Sequence, residues 1–158
     1  MAWRGSTTIP ERIFASLPYL LPLISSLAFA ASFFKEFPAV AQVLIPLLTP
    51  ILLIYGIIPF PSLIIFFALF FFVVRNERVA HFIRYNTMQA LLVDILLVLA
   101  GLILPFFSQG GLNLISNTLS TTVFLGVVAI VGFSIVQSLR GRYAEIPTLS
   151  EAVYMQVR

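Results

Sequence analysis

The chain has 158 residues, 60% of them hydrophobic and 9% charged, with a mean hydropathy of +1.07 and a formal net charge of +3. A soluble domain carries about 25% charged residues, so this balance describes an integral membrane protein and excludes a soluble one. The absence of cysteine excludes disulfides, thiolate chemistry and cysteine–metal sites, and the scattered arginines read as topology signals and headgroup contacts rather than a nucleic-acid footprint.

Residues 1–12 form a short tail, too short for a transit peptide. The first apolar run, 13–34, exceeds a signal-peptide core and opens with Pro18 and Pro22, so it reads as a retained span. The next uncharged run, 37–74, is the ambiguous one. Pro46 and Pro50 would each remove a backbone hydrogen bond from a continuous helix there. The stretch from Pro61 to Val74 has no breaker, and extended back to 57 it approaches the lower limit for a crossing. A polar loop, 75–84, separates it from an uncharged run, 85–139, interrupted only by Asp94. That run divides at 105–117, where Ser108, Gln109, Gly110, Gly111 and Asn113 are turn residues. Two further spans follow, 85–104 and 118–139, the latter N-capped by Ser116 or Asn117. Residues 140–158 form a polar tail.

Charge arbitrates the ambiguous run. If 38–55 does not cross, both termini and the 75–84 loop share one side. That side then holds Arg4, Arg12, Arg75, Arg78, Arg84, Arg140, Arg142 and Arg158 against Lys35 on the other. The positive-inside rule prefers this arrangement to five spans. The sequence therefore predicts an all-α integral membrane protein. It is a four-transmembrane-helix bundle with spans at 13–34, 57–74, 85–104 and 118–139. An additional proline-broken re-entrant or interfacial segment, 38–55, lies between the first and second spans. Tails 1–12 and 140–158 both lie on the inner side.

Asp94 is the only aspartate, and it sits inside a run long enough to cross a bilayer. At 1.5 Å per residue it lies about 15 Å beyond Arg84, near the midplane. An ionisable residue at that depth is a functional hypothesis by default. The bland alternative is an inter-helix hydrogen bond that holds the bundle. Its own helix offers it only Ala90, Leu91, Leu97 and Val98, so its partner belongs to another helix, with Ser25, Ser26 and Ser134 at matching depth. Arg84, Asn86 and Gln89 form a second candidate set at the inner edge of the span. Arg84 is expected to snorkel to the headgroups, and amides just inside a span need partners. His81, the lone histidine, reads as an interfacial residue. One histidine without cysteine makes no metal site, and with no G-x-S-x-G and a single aspartate an intramembrane protease is not expected. Neither a cofactor nor an enzymatic activity is expected. Thr122, Gly126, Ala129 and Gly132 form a narrow face suited to packing within the bundle.

The stretch from Phe67 to Ile95 carries a resemblance. Its core, Val74-Arg75-Asn76 followed by His81-Phe-Ile-Arg-Tyr-Asn-Thr-Met-Gln-Ala-Leu-Leu-Val-Asp94, resembles the twenty-kilodalton TIC translocon family of the chloroplast inner envelope and its cyanobacterial and plastid-encoded relatives. The opening Leu17-Pro-Tyr-Leu-Leu-Pro22 looks like that family's first span. The resemblance implies four spans and a role as a subunit of preprotein import and translocation machinery. It also implies as partners the lipid bilayer, other membrane subunits and precursor polypeptides, with no nucleic acid. The implied location is a cyanobacterial plasma or thylakoid membrane or the plastid inner envelope, with both termini on the cytoplasmic or stromal side. One departure is visible: Ser25-Ser26 stands where the family pattern leads one to expect an acidic residue. The alternative function is a structural or assembly subunit docked onto another membrane complex, such as a photosynthetic one. The phenylalanines between Phe66 and Phe72 would supply the docking surface.

Overall fold

A computed structural model describes residues 6–158, and Arg4 lies outside them. Among the described residues every regular element is helical. The first begins earlier than the hydrophobic run suggests. Thr8 and Glu11 form a reciprocal capping box, with Thr8 N–H donating to Glu11 Oε2 at 2.8 Å, and this starts α1 (Ile9–Ser16) four residues before 13. Pro18 and Pro22 then withdraw two backbone donors. The chain advances as α1, a 3-10 turn (Leu17–Tyr19), α2 (Leu20–Ser26), a second 3-10 turn (Leu27–Phe29) and α3 (Ala31–Glu36).

The segment expected to break at Pro46 and Pro50 is instead one unbroken helix, α4 (Pro38–Ile57), with both prolines inside it. Both rings lie on its exposed side. A proline costs a helix one hydrogen bond and a local clash, and in an apolar setting nearby hydroxyls soften that loss. The Thr49 hydroxyl donates to Ile45 O at 2.8 Å in this stretch. The break falls later, at residues 58–60, where Phe60 adopts a left-handed conformation (φ 49°) ahead of Pro61. Consequently the span expected from 57 to 74 is shorter. It consists of α5 (Pro61–Leu69) and a π-helical segment (Phe70–Val74).

After the loop comes α6 (His81–Gln109), which continues through Pro105, and then α7 (Asn113–Leu139). Neither Ser116 nor Asn117 caps α7; it starts at Asn113 after a turn in which Gly111 has φ 75°. The third span was expected to end near Pro105, at the head of a stretch of turn residues. Only one rung is lost, and the helix has a full turn beyond it before Gly110. Among the described residues, four helices, spanning Ile9–Phe29, Pro38–Ile57, His81–Gln109 and Asn113–Leu139, are long and apolar enough to cross a membrane.

α4 and α5 run in series. Leu44, early in α4, packs against the cluster containing Phe29, Leu104 and Phe124. Tyr55, near its end, packs with Leu21 and Val74. α5 and the π segment carry the chain on to Val74, whose carbonyl meets Arg84. The two described ends of the chain gather at that same end of the bundle. Gly141 (φ 74°) turns the chain out of α7 directly against Thr7 and Arg12, and Arg158 O accepts from Arg84 Nη1 at 3.1 Å. The tail expected to be polar folds back as α8 (Leu149–Gln156), burying Val153 and Val157 against Leu21, Tyr85, Met88 and Leu91.

Candidate functional site

The polar residues of the α6 N-terminal half converge on the centre of this end of the bundle. Asn86 and Gln89 lie three apart on one face of the helix and are fully buried. Asn86 Oδ1 accepts from Tyr19 Oη and from Ser138 Oγ, each at 2.9 Å, while its Nδ2 donates to Phe82 O at 2.8 Å. One amide thereby joins α6 to the first 3-10 turn and to α7. Gln89 Nε2 donates to Ala144 O at 2.9 Å and lies 3.2 Å from Tyr19 Oη and 3.4 Å from Ser134 Oγ. Gln89 Oε1 is buried with no hydrogen-bond partner among the described residues.

Around this pair the tail is held by aromatic and main-chain contacts. The Tyr143 ring packs against Phe82 and Tyr85, with centroids 5.1 and 4.9 Å away, and its hydroxyl lies 2.9 Å from His81 Nδ1. Tyr85 Oη donates to Ser150 Oγ at 2.8 Å. Arg84 departs from expectation. It does not snorkel outward; it is 9% exposed, and its Nε donates to Val74 O at 2.9 Å. The end of the π segment and the end of the tail both present carbonyls to it, and a guanidinium with five donors satisfies them together.

Asp94 lies deeper on α6, on the face shared with Thr87, and is buried. The Ser25 hydroxyl interacts with its carboxyl, while Asp94 Oδ1 has no hydrogen-bond partner among the described residues. Tyr55 lies within electrostatic reach and itself pairs with Ser62 just past the helix break. Of these hydroxyls only that of Ser25 meets the carboxyl; Tyr55 and Ser62 pair with each other nearby.

The other two serines proposed for Asp94 go elsewhere. Ser26 donates to Leu23 O at 2.6 Å on its own helix, because neighbouring helical residues differ by about 100° in direction. Ser134 sits at the level of Gln89, six residues from the α7 end at Arg140, whereas Asp94 is ten residues beyond Arg84. The narrow face of α7, where packing within the bundle was expected, is exposed instead. A Cβ added at Gly126 or Gly132 would meet nothing, and Thr122 Oγ1 donates to Thr118 O of its own helix.

Tyr19, Tyr85, Ser138 and the tail were missed in the sequence reading. Leu149, Val153 and Val157 recur every four residues, and that spacing is the signal that could have found the tail. Also missed was an apolar groove of about 430 Å³ between α1, α5 and the start of α6, bordered by Leu17, Leu69, Ile83 and Thr87, whose Oγ1 is buried without a partner among the described residues.

The family model described as "Chloroplast import apparatus Tic20-like" matches residues 7–153. The chain belongs to the Tic20 family. It is 45% identical over 163 residues to a "Tic20 family protein" of Synechocystis sp., covering 100% of this chain and 99% of that one. It is 33% identical to the "Tic20 family protein Ycf60" of Gracilaria tenuistipitata, covering 95% of this chain and 76% of the relative. The "Protein TIC 20-II, chloroplastic" of Arabidopsis thaliana is 32% identical, over 96% of this chain and 74% of its own length. The motif from His81 to Asp94, on which the resemblance to this family was drawn, is therefore also the stretch that builds both polar centres of the Tic20 bundle. The chain is a membrane protein of the plastid import translocon family, whose members occur in cyanobacteria and plastids.

Proposed function

We propose that this protein is a multi-pass subunit of a machinery that moves precursor polypeptides across a membrane. The observation that carries the reading is family membership over nearly the whole chain, through the match to the import-apparatus model. The geometry supports it. The polar centre around Asn86 and Gln89 is buried near the end where both described termini meet, and an irregular stretch of the chain's own polypeptide lies against it. In this reading that end is the cytoplasmic or stromal one, and the arginines Arg12, Arg75, Arg78, Arg140 and Arg142 hold it against anionic headgroups. α4 and α5 together make one broken crossing rather than a re-entrant hairpin plus a span, and Asp94 with Ser25, Tyr55 and Ser62 marks the polar mid-depth beside the break. A bundle of this size acts with larger membrane subunits rather than enclosing a wide pore alone. The membrane is a cyanobacterial plasma or thylakoid membrane or the plastid inner envelope. No enzymatic role is proposed.

A second reading is a structural or assembly subunit docked onto another membrane complex. One observation favours it: Phe67, Phe71 and Phe72 are all exposed on one apolar surface of α5 and the π segment.

Mild detergent extraction with a stalled precursor separates the two. Co-purification of the precursor is expected; recovery only with a stable photosynthetic complex would establish the second reading instead. Asp94→Asn keeps a partner for Ser25 and removes the ionisable carboxyl. The thermal midpoint of the purified variant is expected to stay within about 2 °C, while precursor transport falls. Unimpaired transport would remove Asp94 from the pathway.

A further inference from the structure

The tail from Arg142 to Ile146 has no regular secondary structure, yet Ala144 within it is completely buried. Its side chain is a single methyl, so the contact that fixes it is made by the main chain. Ala144 O accepts from Gln89 Nε2 at 2.9 Å, with Tyr85 Oη 3.5 Å away. The preceding residue, Tyr143, lays its ring into a pocket formed by His81, Phe82 and Tyr85. Main-chain hydrogen bonding beside a pocket for an adjacent side chain is the general way in which proteins hold an extended peptide without demanding much of its sequence.

The fit is also incomplete. A carboxamide has a donor end and an acceptor end. An extended residue would present its own C=O and N–H along the same edge, but the tail bends at Ala144, where Glu145 N–H donates to Tyr143 O at 3.0 Å, and it offers Gln89 only a carbonyl. Gln89 uses only its donor on the tail; Oε1 is left buried and unpaired, which native interiors rarely tolerate. Thr148, where the tail bends into α8, is held at φ 70°, a conformation that a β-branched residue adopts only under constraint. The tail therefore occupies a site whose hydrogen-bonding capacity it does not fill, and it does so at some cost to its own backbone.

We propose that the recess formed by Gln89, Tyr85, Phe82 and His81 is a binding site for an extended polypeptide segment, and that the chain's own residues 142–147 are its resident occupant. A guest chain would displace them, pairing one residue's C=O and N–H with both ends of the Gln89 amide and placing an apolar or aromatic side chain where Tyr143 now sits. Gly141 is the hinge, since its left-handed conformation sets where the tail leaves α7. The identity of the guest as a precursor segment rests on the translocation reading; the existence of the site does not.

The chain has no cysteine, which makes the test direct. Ala144→Cys introduces one thiol at a position sealed from solvent. The full-length variant in detergent micelles is treated with a water-soluble maleimide, with and without a synthetic unstructured peptide rich in serine, alanine and valine. The peptide is expected to raise the labelling rate several-fold. A second variant, His81→Cys with Tyr143→Cys, is bridged by a bismaleimide to pin the tail, and binding of the fluorescent peptide is followed by anisotropy. The bridged protein is expected to lose at least tenfold in affinity relative to the same variant unbridged, whose elution as a folded species serves as its control. Unchanged labelling at saturating peptide, or equal binding to bridged and unbridged protein, overturns the proposal. These measurements use purified protein and one peptide. A positive result alongside failed precursor co-purification leaves the site standing without the translocation role. A negative result alongside successful co-purification does the opposite.

Discussion

One helix runs through two environments. From Arg84 to Leu91 every residue of α6 is buried, and four of the eight, Arg84, Asn86, Thr87 and Gln89, carry polar side chains. From Ile95 to Phe106 the same helix is almost wholly apolar, and Ile95, Leu96, Val98, Leu99, Leu102, Ile103 and Phe106 are exposed. In water the rule would run the other way. In lipid, apolar surface gains little by leaving hydrocarbon, so what drives helices together is close packing and the satisfaction of polar groups. The N-terminal half of α6 is where the bundle is specified; the C-terminal half is where it meets its surroundings.

Replacing Asn86 by leucine strikes this contrast hardest. Three hydrogen bonds vanish, and the hydroxyls of Tyr19 and Ser138 lose their shared acceptor inside the bundle. Stranded buried polar groups cost about 1–3 kcal/mol each, and measured inter-helix hydrogen bonds average less, so a loss of about 2–3 kcal/mol is expected for Asn86→Leu. Reversible unfolding in mixed micelles reads it. A loss below about 0.5 kcal/mol would mean that the network is ornamental and that packing alone specifies this half.

Gly141→Ala tests the hinge at the same end. Alanine in the left-handed region costs about 1–2 kcal/mol, and its Cβ would also collide with the Thr7 hydroxyl and lie 2.8 Å from Arg12 Nε. Pairing it with Thr7→Ala should return part of the loss, because only the collision is relieved. If the two changes add without any coupling, α1 is not seated against this turn.

How much of this was legible in the sequence follows from the same physics. Long apolar runs give long helices, so the fold class and the candidate half of α6 were readable. Proline was over-read. Pro46 and Pro50 each remove one rung, and the flanking turns of α4 carry the helix past them; the real break falls at Ile58 and Phe60, each held out of the helical region by the proline that follows it. Depth counting brought Ser25 to Asp94 but could not tell Ser25 from Ser26, because one step along a helix turns a side chain by about 100°. Arg84 was misplaced because its acceptors, Val74 O and Arg158 O, are 10 and 74 residues away in sequence.

The smallest effect is expected where α6 is most apolar. Leu102 is 64% exposed on its C-terminal half, and Leu102→Ala removes side-chain volume from a surface that hydrocarbon can refill. With no cavity left behind, the cavity cost that makes buried Leu→Ala changes expensive does not arise. A change within about 0.5 kcal/mol is expected for the purified protein, against the several-fold larger loss at Asn86. The same variant assayed after mild extraction from its native membrane asks a further question. If purified Leu102→Ala is indifferent but the variant no longer holds its neighbours through extraction, this surface is covered by another subunit, and small size changes there will be felt as they are in any packed interface. If it is indifferent in both settings, the outer half of α6 faces lipid, and the contacts that recruit other subunits lie at the polar end or along Phe67, Phe71 and Phe72.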